Sequence, residues 1–178
     1  MKKIEDLTMT VVDKNNVPDL LARLRELESY SVAVGILSKA GGQMLMIANV
    51  HEFGCSIPVT KKMRGFLAYN YNVHLRKDTK EIKIPERSYV RTSYDSKSGE
   101  VGSSGDELIT RVVNGDMSAK SFYEILGQTC ADTIRDYLIN DVKSPPLSSM
   151  TIEHKGSSNP LVDTGQLAAA ISYEVRGR

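Results

Sequence analysis

The chain has 178 residues, a length typical of one domain with or without an attached arm, which argues against an enzyme with separate cofactor and substrate lobes. With 40% hydrophobic and 25% charged residues, the composition is that of a globular protein and excludes collagen-like, disordered and disulfide-framework classes. The formal net charge of +1 gives no global field toward nucleic acid or a membrane. No apolar run is long enough for a membrane span and no signal peptide is visible, so we expect the protein to remain in the cytoplasm where it is made.

The first third of the chain predicts two strands and two helices. Residues 7–13 alternate apolar and polar side chains, as a half-buried strand does, and Asn16 is placed to cap a helix with a leucine stripe. Residues 31–37 predict a second strand. Residues 43–53 are apolar and end at Gly54, which favours a short buried helix, with a strand as the alternative.

The middle of the chain predicts a long β-hairpin. A loop over residues 55–65 leads into residues 66–76, where Leu67, Tyr69 and Tyr71 alternate with polar residues. Residues 77–80 form the predicted turn, and residues 81–84 return as the second strand. Pro85 then ends the ladder and a helix starts within residues 86–95.

The Gly/Ser-rich residues 96–105 predict a mobile loop or insertion. A helix follows over residues 106–113, and the longest helix, over residues 118–140, is expected to pack on the sheet. After Pro146 we predict an arm in which Asp163 or Thr164 caps a short helix before a final strand over residues 171–175. This arm must fold back on the body or pack on a neighbouring subunit.

Together these elements predict an α+β fold, with a small, mostly antiparallel sheet bearing the hairpin and packed against two or three helices. The body covers residues 1–142, and the arm covers residues 143–178, in the same domain or against a neighbouring subunit.

Known catalytic and metal-binding patterns do not fit. His51-Glu52 would need a second histidine at position 55 to form a zinc-protease motif, and that residue is Cys55. Cys55 and Cys130 are too far apart in sequence for a CxxC pair and are expected to be reduced thiols. Neither a Gly-rich phosphate loop nor a nucleophile elbow is present. We therefore expect no catalytic residues, metal or cofactor, with His51 as a structural hydrogen-bonding residue.

Basic residues concentrate around the predicted hairpin. Lys61, Lys62 and Arg64 lie on one loop, and Lys77 and Lys80 lie at the turn. Such a rim suits contacts to phosphate groups, but loops are also charged simply because they are solvated. Both interpretations stay open at this stage.

Short motifs follow one another in a distinctive order. They are Val34-Gly35-Ile36, residues 47–54 (IANVHEFG), residues 84–91 (IPERSYVR), and, after a long helix, residues 151–156 (TIEHKG), 159–167 (NPLVDTGQL) and 171–175 (ISYEV). In this order, from about residue 32 to 176, the chain resembles the virion-morphogenesis proteins of tailed bacteriophages, the neck or tail-completion components.

The resemblance makes the second and third motifs a structural scaffold. The residues His51, Glu52, Phe53 and Gly54 look like a helix end, in which we expect Phe53 to enter the core and Gly54 to reverse the chain. In the third motif Pro85 ends a strand, Tyr89 points inward, and Arg87 and Arg91 point outward. The chain departs from the usual family pattern at Ser88-Tyr89, where Pro-Phe is commoner, and in the insert at residues 96–105.

The resemblance further implies a structural virion protein at the head–tail interface, with no enzymatic activity and no membrane contact. Its partners would be copies of itself, in a ring that is typically a hexamer, together with the head connector or head-closure protein and the tail-terminator or tail-tube protein. DNA in the lumen would be touched without sequence preference. The expected interface residues are Lys61, Lys62, Arg64, Lys77, Lys80, Leu161, Val162, Asp163, Thr164, Gly165 and Leu167. The alternative is a nucleic-acid-associated or metal-dependent hydrolytic phage or prophage protein that uses the basic loops or His51 and Glu52.

Overall fold

A computed structural model describes residues 15–148, 151–152 and 159–178. The fold is α+β, as predicted, with helices and two small two-stranded antiparallel sheets. The strand predicted over residues 7–13 lies outside the described residues. Within those residues, none of the helices combines the length and apolar character needed to span a membrane.

Six helices and four strands lie wholly within the described residues. In order they are α1 (Val17–Glu28), β1 (Tyr30–Ile36), a 3-10 turn (Ser38–Ala40), α2 (Gly42–Phe53), β2 (Cys55–Pro58), α3 (Lys61–Tyr71), β3 (Glu81–Ile84), α4 (Val90–Asn114), α5 (Ala119–Asn140), α6 (Gln166–Ala169) and β4 (Ile171–Gly177). The predictions for α1, β1, α2, β3 and α5 are confirmed to within a few residues at their ends, but the side chain of Asn16 makes no capping bond to α1 among the described residues.

The main sheet pairs the first strand of the described chain with the last one. β1 and β4 pair antiparallel, with Tyr30 opposite Gly177 and Ile36 opposite Ile171. Helix α5 packs across this sheet, as predicted. At the crossing, a Cβ on Gly127 would lie 2.6 Å from the ring of Tyr173, so only glycine lets the helix approach this closely. The C-terminal segment therefore folds back onto its own body.

The core lies between α5, this sheet and the C-terminal segment. Its larger buried members are Tyr89, Ile134, Leu138, Val142, Leu161, Leu167 and Ile171. Leu161 and Leu167, predicted as interface residues, are thus core residues of this chain. The predicted cap by Asp163 or Thr164 is wrong as well, because α6 starts after Gly165, whose φ of 76° places it in the left-handed region.

The predicted hairpin strand over residues 66–76 is wrong, because residues 61–71 form helix α3. The hydroxyl of Thr60 caps this helix by accepting from the amide of Met63 at 3.1 Å. Asn72 ends it in the left-handed conformation (φ 51°), with its amide bonded to the carbonyl of Leu67. The returning strand β3 pairs instead with β2, Cys55 opposite Ile84 and Pro58 opposite Glu81.

The predicted loop over residues 96–105 is also wrong, since these residues form the middle of α4. At 25 residues, α4 also exceeds the 22 residues of α5, which was expected to be the longest helix. The hydroxyls of Ser103 and Ser104 bond to carbonyls one turn back, which keeps these polar side chains compatible with a helix. Gly105 is buried against Leu126 of α5, so tertiary packing stabilises a segment of low intrinsic helix propensity.

Candidate assembly site

The second and third motifs meet in a joint centred on the carboxylate of Glu52. Only 6% of this residue is exposed. Its two oxygens accept hydrogen bonds from the Ser88 hydroxyl (2.7 Å), the amides of Tyr89 (2.8 Å), Val90 (3.0 Å) and Arg91 (3.1 Å), and the Arg91 Nε (3.2 Å). We call this cluster the Glu52 joint. The sequence resemblance indicated both motifs, but not that the carboxylate of one caps the helix of the other.

The joint exists because α4 lacks a cap of its own. Tyr89 stands at the N-cap position, and its side chain makes no capping bond to any described residue. The free amides of the first turn, at the positive end of the helix dipole, are bonded by the carboxylate that α2 supplies. Burial alone would raise the pKa of Glu52, but the bonds from Val90, Ser88, Arg91 and Tyr89 together lower that pKa below its usual value.

Arg91 extends the joint outward to the surface. Its Nη2 donates to the Glu52 carbonyl at 3.1 Å and to the Glu86 carboxylate at 2.7 Å. Its guanidinium lies 4.9 Å from the ring centre of Phe53, a cation–π distance. Phe53 is 59% exposed, so the expectation that it enters the core is wrong. Arg91 is half exposed, which agrees with its expected outward direction.

Arg87 is buried, against the expectation that it points outward. Only 5% of it is exposed, and its guanidinium donates to the carbonyls of Pro145 (2.8 Å) and Pro146 (3.1 Å). Burial lowers the pKa of Arg87. Arg87 thus connects the joint to the segment that leads to the C-terminal strand. Tyr89 points inward as expected, and burial, aided by the Glu52 charge, raises the pKa of its phenol.

Gly54 makes the reversal that the sequence predicts. Its φ is 70°, and a Cβ there would lie 2.8 Å from the amide nitrogen of Glu86. The carbonyl of His51 accepts from the amide of Arg87 at 2.8 Å, so the two motifs are also joined through their backbones. Pro85 follows directly after β3, as expected.

Residues 55–84 form a unit that we call the extension. It comprises β2, α3 and β3, and these elements make few contacts with the other described helices and strands. Arg64 holds the segment that connects α3 to β3. Its guanidinium donates to the carbonyls of Leu75, Arg76, Lys77 and Thr79 at 2.5 to 3.4 Å. Arg64, predicted as an interface residue, therefore has a structural role inside the extension.

The outer surface of the extension is aromatic and basic. Within α3, whose residues are all described, no residue is buried. Phe66 is 54% and Tyr69 is 90% exposed, and with Lys62 they follow the i, i+4, i+7 spacing of one helix face. The predicted interface lysines 61, 62, 77 and 80 are all exposed on this unit.

Charge is divided unevenly between the extension and the rest of the chain. Residues 55–84 contain seven Lys and Arg against two Asp and Glu, a net +5. The remaining residues contain sixteen against twenty, a net −4. The near-neutral total therefore hides a basic unit attached to an acidic body.

The other predicted interface residues lie beside α5, where Asn159 donates to the carbonyl of Ile139 at 2.8 Å. Asp163 and Thr164 are exposed, and Val162 and Gly165 are partly buried. The structure thus gives the C-terminal segment a smaller accessible surface than the sequence suggested.

Sequence reasoning missed a groove between α4 and α5. It has a volume of about 830 Å³ and is lined mainly by apolar side chains of both helices and β1. Its α4 wall contains Ser98, Gly102 and Gly105. The Gly/Ser-rich composition of this segment predicts a loop, so no signal of a helix–helix groove is visible in the sequence here.

Metal-binding geometry is not formed by the described residues, which contain no group of three or more His, Cys, Asp or Glu able to hold an ion. Cys55 and Cys130 are free thiols and half buried, and burial raises the pKa of Cys130. Comparison of the chain with protein-family models, curated protein sequences and solved structures found no match.

Proposed function

We propose that this protein is a structural subunit of a tailed-bacteriophage neck, which forms a ring between the head connector and the tail. The observation that carries the proposal is the extension: a basic unit with exposed aromatic side chains that packs little on its own body. Large exposed apolar groups on a well-folded chain are typical of a surface that a protein partner covers.

The Glu52 joint supports the same proposal. The second and third of the motifs that carry the resemblance to phage neck proteins lie at the base of the extension and flank its two ends. The polar atoms of Glu52 and Arg91 bond to backbone groups and to each other, so these two residues position the joined segments. Such a joint suits a subunit whose projecting part must meet a neighbour at a defined angle.

A nucleic-acid-binding protein is the second candidate, favoured by the net +5 of the extension. Lys61, Lys62, Lys77 and Lys80 are exposed, and Lys61 and Lys62 lie on the helix that carries Phe66 and Tyr69, a combination that also suits single-stranded nucleic acid. The acidic remainder of the chain and the apolar groove favour a protein partner instead.

The deciding experiment removes the gene from the phage or prophage and supplies the protein in trans. We expect filled heads and separate tails without the protein, joined particles with it, and the protein itself in purified virions. Virions that join normally and contain none of the chain would refute the proposal.

Variants separate assembly from folding in the same system. Tyr69→Ser should give a stable protein that fails to restore joining, because the side chain is exposed and contributes little to the fold. Met46→Ser, which removes a similarly exposed apolar side chain from α2, is the matched control and should restore joining.

A further inference from the structure

We infer that the aromatic face of α3 in one copy docks into the α4–α5 groove of the next copy. This inference rests on the proposed function and names the two surfaces through which the subunits meet. The two surfaces are separate, since no described residue of the extension lines the groove. Contact between unlike surfaces is heterologous, so it generates a ring when the rotation closes.

Shape supports this occupant. Along α4 the groove is lined at positions 94, 98, 101, 102, 105 and 109, a spacing that follows the helix axis. The lining from residue 90 to residue 109 spans about 29 Å, whereas the eleven residues of α3 span about 16 Å. Gly102 is exposed and a Cβ there would meet nothing within 4 Å, which leaves room for an aromatic ring.

Charge complementarity identifies the occupant as a second copy. At the groove, Arg91 is paired with Glu52 and Glu86, and Lys97 is paired with Glu100. Two carboxylates remain at its rim, Asp95 and Asp106, which make no ion pair with any described residue. The face that would meet them carries Lys62 beside its aromatic rings, and Lys61 flanks that face.

The test uses sedimentation velocity of the purified full chain over a wide range of concentration, at low and high salt. We expect concentration-dependent association that weakens as salt screens the charges. Tyr69→Ser damages the extension and Gly102→Arg blocks the groove. Each should weaken association by at least about tenfold, because both sites lie at the centre of the contact.

The control variants make the same kinds of substitution at positions outside the proposed contact. Gly99→Arg puts the same side chain on the same helix at an exposed position outside the groove lining, and Met46→Ser removes an exposed apolar side chain elsewhere. Both should associate like the wild type. Circular dichroism establishes that every variant is folded.

Mixing the two damaged variants gives the sharpest result. In an equimolar mixture of Tyr69→Ser and Gly102→Arg, one pairing stays intact: the extension of the Gly102→Arg chain can still dock into the groove of the Tyr69→Ser chain. We expect dimers and nothing larger, which two unrelated defects would not produce.

The inference is overturned if the wild-type chain stays monomeric, if either variant associates like the wild type, or if the mixture regains the wild-type size. Salt-sensitive binding of a DNA oligonucleotide by the extension, without self-association, would assign the surface to nucleic acid instead. The proposed function is judged separately, by whether the wild-type chain is present in joined particles.

Discussion

Replacing Glu52 removes the acceptor that holds the start of α4. In Glu52→Ala the amides of Tyr89 and Val90 lose their carboxylate partner in a buried place where water has little access. A hydrogen bond to a charged group contributes about 1.5–3 kcal/mol, and a buried donor left without a partner costs about 1–3 kcal/mol. Since Arg91 is half exposed, its ion pair adds little. We therefore expect Glu52→Ala to lower the free energy of unfolding by about 3 kcal/mol.

The matched variants divide this loss between charge and packing. Glu52→Gln keeps the shape and one acceptor oxygen but places amide hydrogens against the α4 donors, so we expect a loss of about 2 kcal/mol. Ser88→Ala removes one bond to the carboxylate and should cost about 1 kcal/mol.

The pH dependence follows from the lowered pKa of Glu52. Between the folded and unfolded pKa values the unfolded chain binds the extra proton, so stability rises with pH there. The contribution of the charge is therefore complete above about pH 5, where the unfolded glutamate is ionised, and is lost as the pH falls through the folded pKa.

Urea unfolding followed by circular dichroism measures all four proteins, at neutral pH and at steps down to the acid limit of the native state. We expect the gap between wild type and Glu52→Gln to shrink as the solution is acidified. A Glu52→Ala variant within about 0.5 kcal/mol of wild type, the range of ordinary surface substitutions, would refute the assignment of Glu52 as the cap of α4.

Three further outcomes are measurable by the same unfolding assay. Arg87→Ala should lower the free energy of unfolding by about 3 kcal/mol, because removing the buried guanidinium leaves the carbonyls of Pro145 and Pro146 without their donors. Arg87→Lys should recover only part of this loss, since lysine lacks the planar fork of arginine. Gly54→Ala should cost more than about 1 kcal/mol from positive φ and a backbone clash, and a neutral effect would contradict the turn geometry. Gly99→Ala and Gly102→Ala should each add about 0.5–1 kcal/mol if residues 96–105 are helical, whereas a mobile loop would show no gain.

Elements with one buried face were predictable from the sequence. Helix α5 shows its apolar residues at helical spacing because one stripe of it packs on the sheet, and its start at Ser118 and the end of α4 at Gly115 follow ordinary capping chemistry. The strand pattern of residues 31–37 likewise reflects the pairing of β1 with β4.

Helices α3 and α4 could not be predicted, for opposite reasons. In α3 no residue is buried, so its apolar residues do not mark a single core-facing stripe, and the alternation of Leu67, Tyr69 and Tyr71 resembled a strand. In α4 the local propensity of a Gly/Ser-rich segment is overridden by packing against α5, which only the tertiary structure shows. The groove was missed for the same reason.

The Glu52 joint was predictable only in part: the sequence indicated its two motifs but not the contact between them. This contact explains how the extension is oriented. Gly54 directly precedes the extension and Pro85 directly follows it. Glu52 and Glu86, which Arg91 binds, lie just outside these two residues. Arg91 donates to Glu52 on the entering side and to Glu86 on the leaving side, so one side chain of α4 holds both ends. A projecting unit clamped at both ends of its base meets a partner in a fixed direction and loses little freedom on binding. Two of the sequence motifs, residues 47–54 and 84–91, thus lie at the base of the extension, while the residues that would touch a partner lie on α3.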